Sequence, residues 1–129
     1  IFVSHDISVV AELCENVAVM YAGEFIEYGP TEHLLTGPRH PYTMALLRSF
    51  PSVRGPLRTL LSVPGSPPDL VRPPSGCRFH PRCPFAQPVC AEVAPPPVPT
   101  PGGGWARCHF AEEIASRGPE AIETIGQVG

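Results

Sequence analysis

Asn16-Val17-Ala18-Val19-Met20-Tyr21-Ala22-Gly23-Glu24-Phe25-Ile26-Glu27-Tyr28-Gly29-Pro30 is the stretch that decides how this chain is built. Valine, isoleucine, tyrosine and phenylalanine dominate both halves, and these side chains suit a pleated, half-buried strand. Ala22-Gly23-Glu24 interrupts them, and Gly23 is free to take a positive φ. Two short strands around a glycine turn predict a β-hairpin, with Asn16 to Tyr21 running out and Phe25 to Tyr28 returning. Gly29-Pro30 ends the second strand.

The flanks read as an α/β surround. Upstream, Ile1-Phe2-Val3 reads as the end of a buried strand. Asp6 is a good N-cap for a helix carrying Ile7, Val10, Ala11 and Leu13 at helical spacing. Cys14 then falls on the buried face as a small hydrophobe. Downstream, Thr31 to Leu35 reads as a short helix stopped by Thr36-Gly37-Pro38. His40-Pro41 opens another helix, since proline is favoured in the first turn, and Tyr42, Leu46, Leu47 and Phe50 give it one apolar face.

Beyond Phe50 the composition changes. Most of the 19 prolines and 12 glycines of the 129-residue chain lie there, so only the front part predicts a packed core. Thr59 to Val63 is one candidate strand within an extended arm. Ala94 to Gly104 reads as a surface loop, and Trp105 either docks beside the nearby cysteines or packs in a core. Glu112 to Arg117 predicts a short helix, and Gly118 to Gly129 a frayed tail. Net charge is −3, no lysine occurs and no basic stripe is present, which argues against nucleic acid as a partner. No apolar run reaches the length of a membrane span. The chain opens without methionine inside an apolar run, and it is expected to be a piece of a longer protein.

Four of the five cysteines, Cys77, Cys83, Cys90 and Cys108, lie in the proline-rich part with gaps of five, six and seventeen residues. Irregular loops with little apolar area need a reason to be ordered, and metal–thiolate bonds supply one. Two disulfides, one zinc ion or one iron–sulfur cluster are the three readings. Structural zinc favours a tight C-x2-4-C knuckle, which is absent here. A [4Fe–4S] cubane spreads its ligands wider, and Cys83-Pro84 matches the Cys-Pro step of some ferredoxin runs. Arg78, Arg82 and Arg107 offer cationic surroundings that suit thiolates. His109, beside Cys108, is an alternative ligand. Elsewhere, His5 stands at the carboxyl end of the first predicted strand, where open α/β sheets bind ligands.

The ordered series Ser4-His5-Asp6, Val17 to Gly23, Glu27-Tyr28-Gly29-Pro30-Thr31 and Pro38-Arg39-His40-Pro41-Tyr42-Thr43 resembles the C-terminal part of ABC transporter ATP-binding subunits of the oligopeptide/dipeptide importers. Val63-Pro64-Gly65-Ser66-Pro67-Pro68, Gly76-Cys77-Arg78-Phe79 and Pro81-Arg82-Cys83-Pro84 extend the match. The resemblance implies an α/β fold. Residues 1–50 would end the P-loop ATPase domain, residues 51–110 would form the family's loop-rich C-terminal extension, and residues 111–129 a tail.

The resemblance also makes His5 the switch histidine, which contacts the γ-phosphate of ATP. It makes Cys77, Cys83, Cys90 and Cys108 the ligands of the [4Fe–4S] cluster that some members bind, with zinc as the alternative. ATP and Mg2+ are the implied cofactors of the full-length subunit. A second ATP-binding subunit, membrane permease subunits and, indirectly, a solute-binding protein are the implied partners, at the cytoplasmic face of the membrane. The G-x-x-x-x-G-K-[ST] phosphate cradle, the Walker B carboxylate and the signature loop do not occur in these residues, so this stretch alone is expected not to hydrolyse ATP. The rival reading is a free-standing module whose iron–sulfur or zinc centre only staples structure.

Overall fold

A computed structural model describes Val3, residues 7–48 and residues 69–117. The predicted hairpin is its centre. Strand β1 (Asn16–Tyr21) pairs antiparallel with β2 (Glu24–Pro30), and Tyr21 faces Glu24 across a two-residue turn. Ala22 and Gly23 both take positive φ, +51° and +79°. That is the turn geometry whose twist matches flanking strands, although only the glycine adopts it without a Cβ penalty.

A β-bulge then shapes everything downstream. Val19 pairs with Glu27 and Met20 with Phe25, so Ile26 is the extra residue on β2. A bulge breaks the in–out alternation, and Ile26 and Glu27 are accordingly both buried. Ile26 joins a core with Val19, Tyr21, Leu34 and Phe79. Glu27 turns its carboxylate toward the chain ahead of the next long helix.

Helix α1 (Ile7–Leu13) precedes the hairpin, and α2 (Thr31–Thr36) and α3 (Pro41–Arg48) follow it. The Thr31 hydroxyl donates to the Cys14 carbonyl at 2.6 Å, tying the start of α2 to the end of α1. Gly37 closes α2, its N–H donating to the His33 carbonyl at 2.9 Å. Both downstream helices fall where the proline and glycine punctuation places them. Cys14 is half-buried rather than enclosed. Val3 lies in no strand and is 91% exposed, against the expected buried strand. The remaining residues of that expectation, Asp6 and the Thr59–Val63 strand lie outside the described residues.

The expected surface loop between Cys90 and Cys108 is instead a second hairpin. Strand β3 (Val98–Pro99) pairs with β4 (Trp105–Ala106), and β4 pairs with β2, giving the order β1-β2-β4-β3. Prolines tolerate this because β3 is an edge strand, where a missing N–H costs little. Short helix α4 (Pro88–Glu92) precedes this hairpin, and α5 (Ala111–Arg117) follows it. The front and back stretches therefore share one mixed α/β unit built on a small antiparallel sheet. A second core joins Met44 and Ala45 of α3 with Ala106, Cys108, Ala111 and Ile114. Helix α3 serves both cores, since Tyr42 and Leu46 pack against the first.

Candidate functional site

The four clustered cysteines line one small cavity between the two cores. Its wall also includes His40, Phe79, His80, Phe85, His109 and Phe110. Cys14 is not part of it. Each cysteine arrives by a different local device. Gly76 takes φ +65° and passes so close to α4 that a Cβ there would lie 2.3 Å from the Cys90 carbonyl oxygen. This close approach lets the Cys77 N–H donate to that carbonyl at 2.7 Å, fixing the first cysteine against the third. A single 3-10 turn, His80–Arg82, separates Cys77 from Cys83. Cys90 is the third residue of α4 and closes a capping box with Gln87, whose N–H donates to the Cys90 sulfur at 3.5 Å. Cys108 lies between β4 and α5.

Three of the four cysteines share a pattern that the sequence reading missed. Cys77-Arg78-Phe79, Cys83-Pro84-Phe85 and Cys108-His109-Phe110 each place a phenylalanine two residues on. In each case that phenylalanine's backbone N–H donates to the cysteine sulfur, and all three rings line the cavity. One short repeat thus supplies a sulfur, a donor to that sulfur and an apolar wall. The repeat is visible in the sequence, but gaps between successive cysteines do not reveal it.

Burial opposes charge on these sulfurs. It pushes Cys83 and Cys108 up to about 12 and Cys77 upward, with the neighbouring thiols adding to the rise at each; the backbone N–H donors pull the other way. Without a counter-charge, these groups are neutral thiols at pH 7. A bound cation would reverse the balance, because the N–H donors already favour thiolate.

The guanidinium groups of the three neighbouring arginines have partners at the hairpin. Arg78 Nε lies 3.1 Å and Arg107 Nε 3.7 Å from the two oxygens of Glu24, at the hairpin turn. Arg78 also donates to the Ala22 carbonyl at 2.6 Å, and Arg82 to the Tyr21 hydroxyl at 3.3 Å. These contacts tie the cysteine loops to the hairpin. Trp105 is likewise directed elsewhere, pairing with Tyr28 at 6.2 Å and lying under Arg107 at 5.3 Å.

The histidines divide by what their rings touch. His80 Nδ1 donates to the Cys77 carbonyl at 2.7 Å and His109 Nε2 to the Val93 carbonyl at 2.7 Å. Both rings border the cavity. His33 bonds the Pro101 carbonyl at 3.1 Å, far from the cysteines. His5 lies outside the described residues.

The donor set fits a sulfur-ligated centre in chemistry: four cysteines on one cavity, backbone donors at the sulfurs and apolar walls. Among the described residues no group of three or more His, Cys, Asp or Glu side chains stands where it could hold a metal ion. All five cysteines are free thiols, so neither disulfide of that reading is formed. Also among the described residues, no helix is long and apolar enough to cross a membrane.

The family described as "Oligopeptide/dipeptide transporter, C-terminal region" matches residues 26–90, which include the bulge, α2, α3 and the first three clustered cysteines. The chain belongs to that family. It is 44% identical over 113 residues to a dipeptide transport ATP-binding protein, DppD, of Caldanaerobacter subterraneus subsp. tengcongensis, covering 88% of this chain and 35% of the relative. It is 44% identical over 102 residues to the oligopeptide transport ATP-binding protein OppD of Escherichia coli, covering 79% and 30%. Against the dipeptide transport ATP-binding protein DppD of Lactococcus lactis it is 48% identical over 96 residues, covering 74% and 28%. The chain spans about a third of the length of the curated relatives it matches.

Proposed function

We propose that this chain is the C-terminal portion of an ATP-binding subunit that couples ATP binding and hydrolysis to uptake of oligopeptides, dipeptides or a related solute. Family membership and the relatives' names support this reading. Residues 1–50 end the ATPase domain, and residues 51–110 form the extension. In the full-length subunit, ATP and Mg2+ bind upstream, and His5 reaches the γ-phosphate and helps position the attacking water. The subunit pairs with a second ATP-binding subunit. It docks on permease subunits at the cytoplasmic face of the membrane, and a solute-binding protein delivers cargo.

Within the extension, Cys77, Cys83, Cys90 and Cys108 hold a [4Fe–4S] cluster. The observation that carries this is the single cavity on which all four meet, with a backbone N–H at each sulfur. When bound, such a group supplies iron–thiolate bonds that staple the loops. The chain's own residues do the rest: Arg78, Arg82 and Arg107 fasten the loops to the hairpin, and the phenylalanines exclude water from the sulfurs. Anaerobic purification followed by iron, sulfide and zinc analysis tests the centre. About four irons and four sulfides per chain are expected; one zinc, or no metal, would refute the cluster.

In the full-length subunit, His5→Ala should lower turnover on the order of 100-fold while ATP binding is largely kept. Equal loss of binding and turnover would make His5 structural. The chain of 129 residues alone should show no ATPase activity, and measurable turnover would reveal an unrecognised nucleotide site.

A further inference from the structure

His40 is held at both its backbone and its ring. Its backbone N–H donates to Glu27 Oε1 at 3.0 Å, its ring packs at 5.9 Å from the Phe79 ring, and only 1% of the residue is exposed. Its tautomer is fixed by a third contact. The Tyr42 backbone N–H, which can only donate, lies 3.0 Å from His40 Nδ1. Nδ1 is therefore the acceptor, and the ring proton sits on Nε2. Burial lowers the ring's pKa to about 3, so the ring stays neutral at physiological pH and keeps this arrangement. Among the described residues, Nε2–H is a buried donor with no partner. Buried donors without partners are rare in folded proteins and point to a group not yet in place.

The missing partner is indicated by what surrounds the ring. His40 contributes to the wall of the cavity shared by Cys77, Cys83, Cys90 and Cys108. With the Nδ1 edge turned to the first turn of α3, the opposite edge is the one left to face that cavity. The other two histidines on the wall have already committed their protons to the carbonyls of Cys77 and Val93. Three cysteine sulfurs already receive the N–H two residues on, and Cys90 receives that of Gln87. His40 offers a side-chain donor from a different element.

We propose that His40 donates its Nε2–H to a sulfur of the centre held by Cys77, Cys83, Cys90 and Cys108, either a cysteine thiolate or a bridging sulfide. It is a positioning residue: it ties α3 to the centre and raises the centre's reduction potential. The inference rests on the proposed cluster. The direction follows from charge, because a donor to sulfur favours the more reduced, more negative state. The same contact accounts for a histidine buried directly before Pro41, where a phenylalanine of similar size would fill the space without stranding a proton.

The test uses the full chain, purified anaerobically as wild type, His40→Gln and His40→Phe, with iron counted in each. Glutamine keeps a donor at about the reach of Nε2, whereas phenylalanine does not. Wild type labelled with ring-15N histidine should show a nitrogen coupling to the reduced centre by pulsed electron paramagnetic resonance, and this coupling should vanish in His40→Gln. The midpoint potential of His40→Gln should stay near wild type, and that of His40→Phe should fall at unchanged iron content. The proposal is overturned by a full iron complement without ring-nitrogen coupling. A coupling that persists in His40→Gln would overturn it too, as would equal potentials in all three proteins. If His40→Phe does not fold, wild type and His40→Gln still decide. Zinc or no metal in wild type would overturn the cluster and this contact together, and the iron count separates that failure from failure of the contact alone.

Discussion

The hairpin half, residues 16–48, and the cysteine half, residues 76–110, are held together by different physics. The first is a hydrogen-bonded ladder with two helices packed on it, and its buried residues alternate with exposed ones except at the bulge. The second has one 3-10 turn, a five-residue helix and two strands of two residues each. Its order comes from turn hydrogen bonds, arginine ties to the hairpin and a shared cavity. A ladder of backbone bonds survives the loss of any one side chain. On the proposed reading, a set of loops meeting at four sulfurs depends on the centre bound there.

That contrast can be broken first at the sulfurs. Each of Cys77→Ser, Cys83→Ser, Cys90→Ser and Cys108→Ser should lose most of the iron of the anaerobic protein, whereas Cys14→Ser should keep it all. Iron per chain is the readout, and an intact complement in any of the four would remove that residue from the centre.

Acid should act next, through His40. Its folded-state pKa of about 3 lies below its ordinary value of 6.5. The stability linked to its neutral form is therefore fully present above about pH 6.5 and lost as pH falls toward 3. Between pH 7 and 4 this amounts to roughly 3 kcal/mol. Glu27 works in the opposite sense: burial raises its pKa, so its contribution is full below 4.5 and is lost as pH rises. Urea denaturation of wild type and His40→Phe in parallel should show the wild type losing more stability on acidification. Parallel curves would contradict the assignment.

Two substitutions in the backbone framework follow. Gly76→Ala combines a left-handed backbone with a 2.3 Å approach to the Cys90 carbonyl. It should destabilise by roughly 3 kcal/mol and weaken iron retention. Glu27→Ala removes the acceptor of the Arg39 and His40 N–H groups, at 2.9 and 3.0 Å, and should cost about 2 kcal/mol in urea denaturation. The smallest effect sits at the turn. Ala22 has φ +51°, so Ala22→Gly should stabilise by about 0.5–1 kcal/mol without altering iron content. A loss of stability there would mean that the turn is not under conformational strain.

How much of this was legible in the sequence follows the same division. The first hairpin, α2 and α3 could be read because strand composition, a glycine turn and proline punctuation are local signals. The bulge could not, because it depends on register between Val19 and Glu27, and so the inward turn of Glu27 was invisible. The second hairpin was hidden by Pro97, Pro99 and Pro101, which read as loop until an edge position excuses them. The four cysteines were identifiable by type and spacing, and the structure gathers all four on one cavity. The contacts of Arg78, Arg82 and Arg107 with the hairpin were not legible, because sequence adjacency to a cysteine says nothing about which way a long side chain turns. His40 was legible only as the residue before a helix-opening proline. Its buried, proton-bearing edge emerges from contacts with Tyr42, Phe79 and Glu27, which are far apart in the chain.

Amide hydrogen exchange on the anaerobic chain, before and after chelation of its metal, measures the central claim directly. Removing a centre that organises the second half should raise exchange across residues 77–110, including the Cys77 N–H bound to the Cys90 carbonyl. The Asn16–Pro30 ladder should keep its protection. Unchanged exchange in residues 77–110 after complete metal loss would show that the cysteine half is held without the centre. Equal loosening of both halves would show that the two are a single cooperative unit.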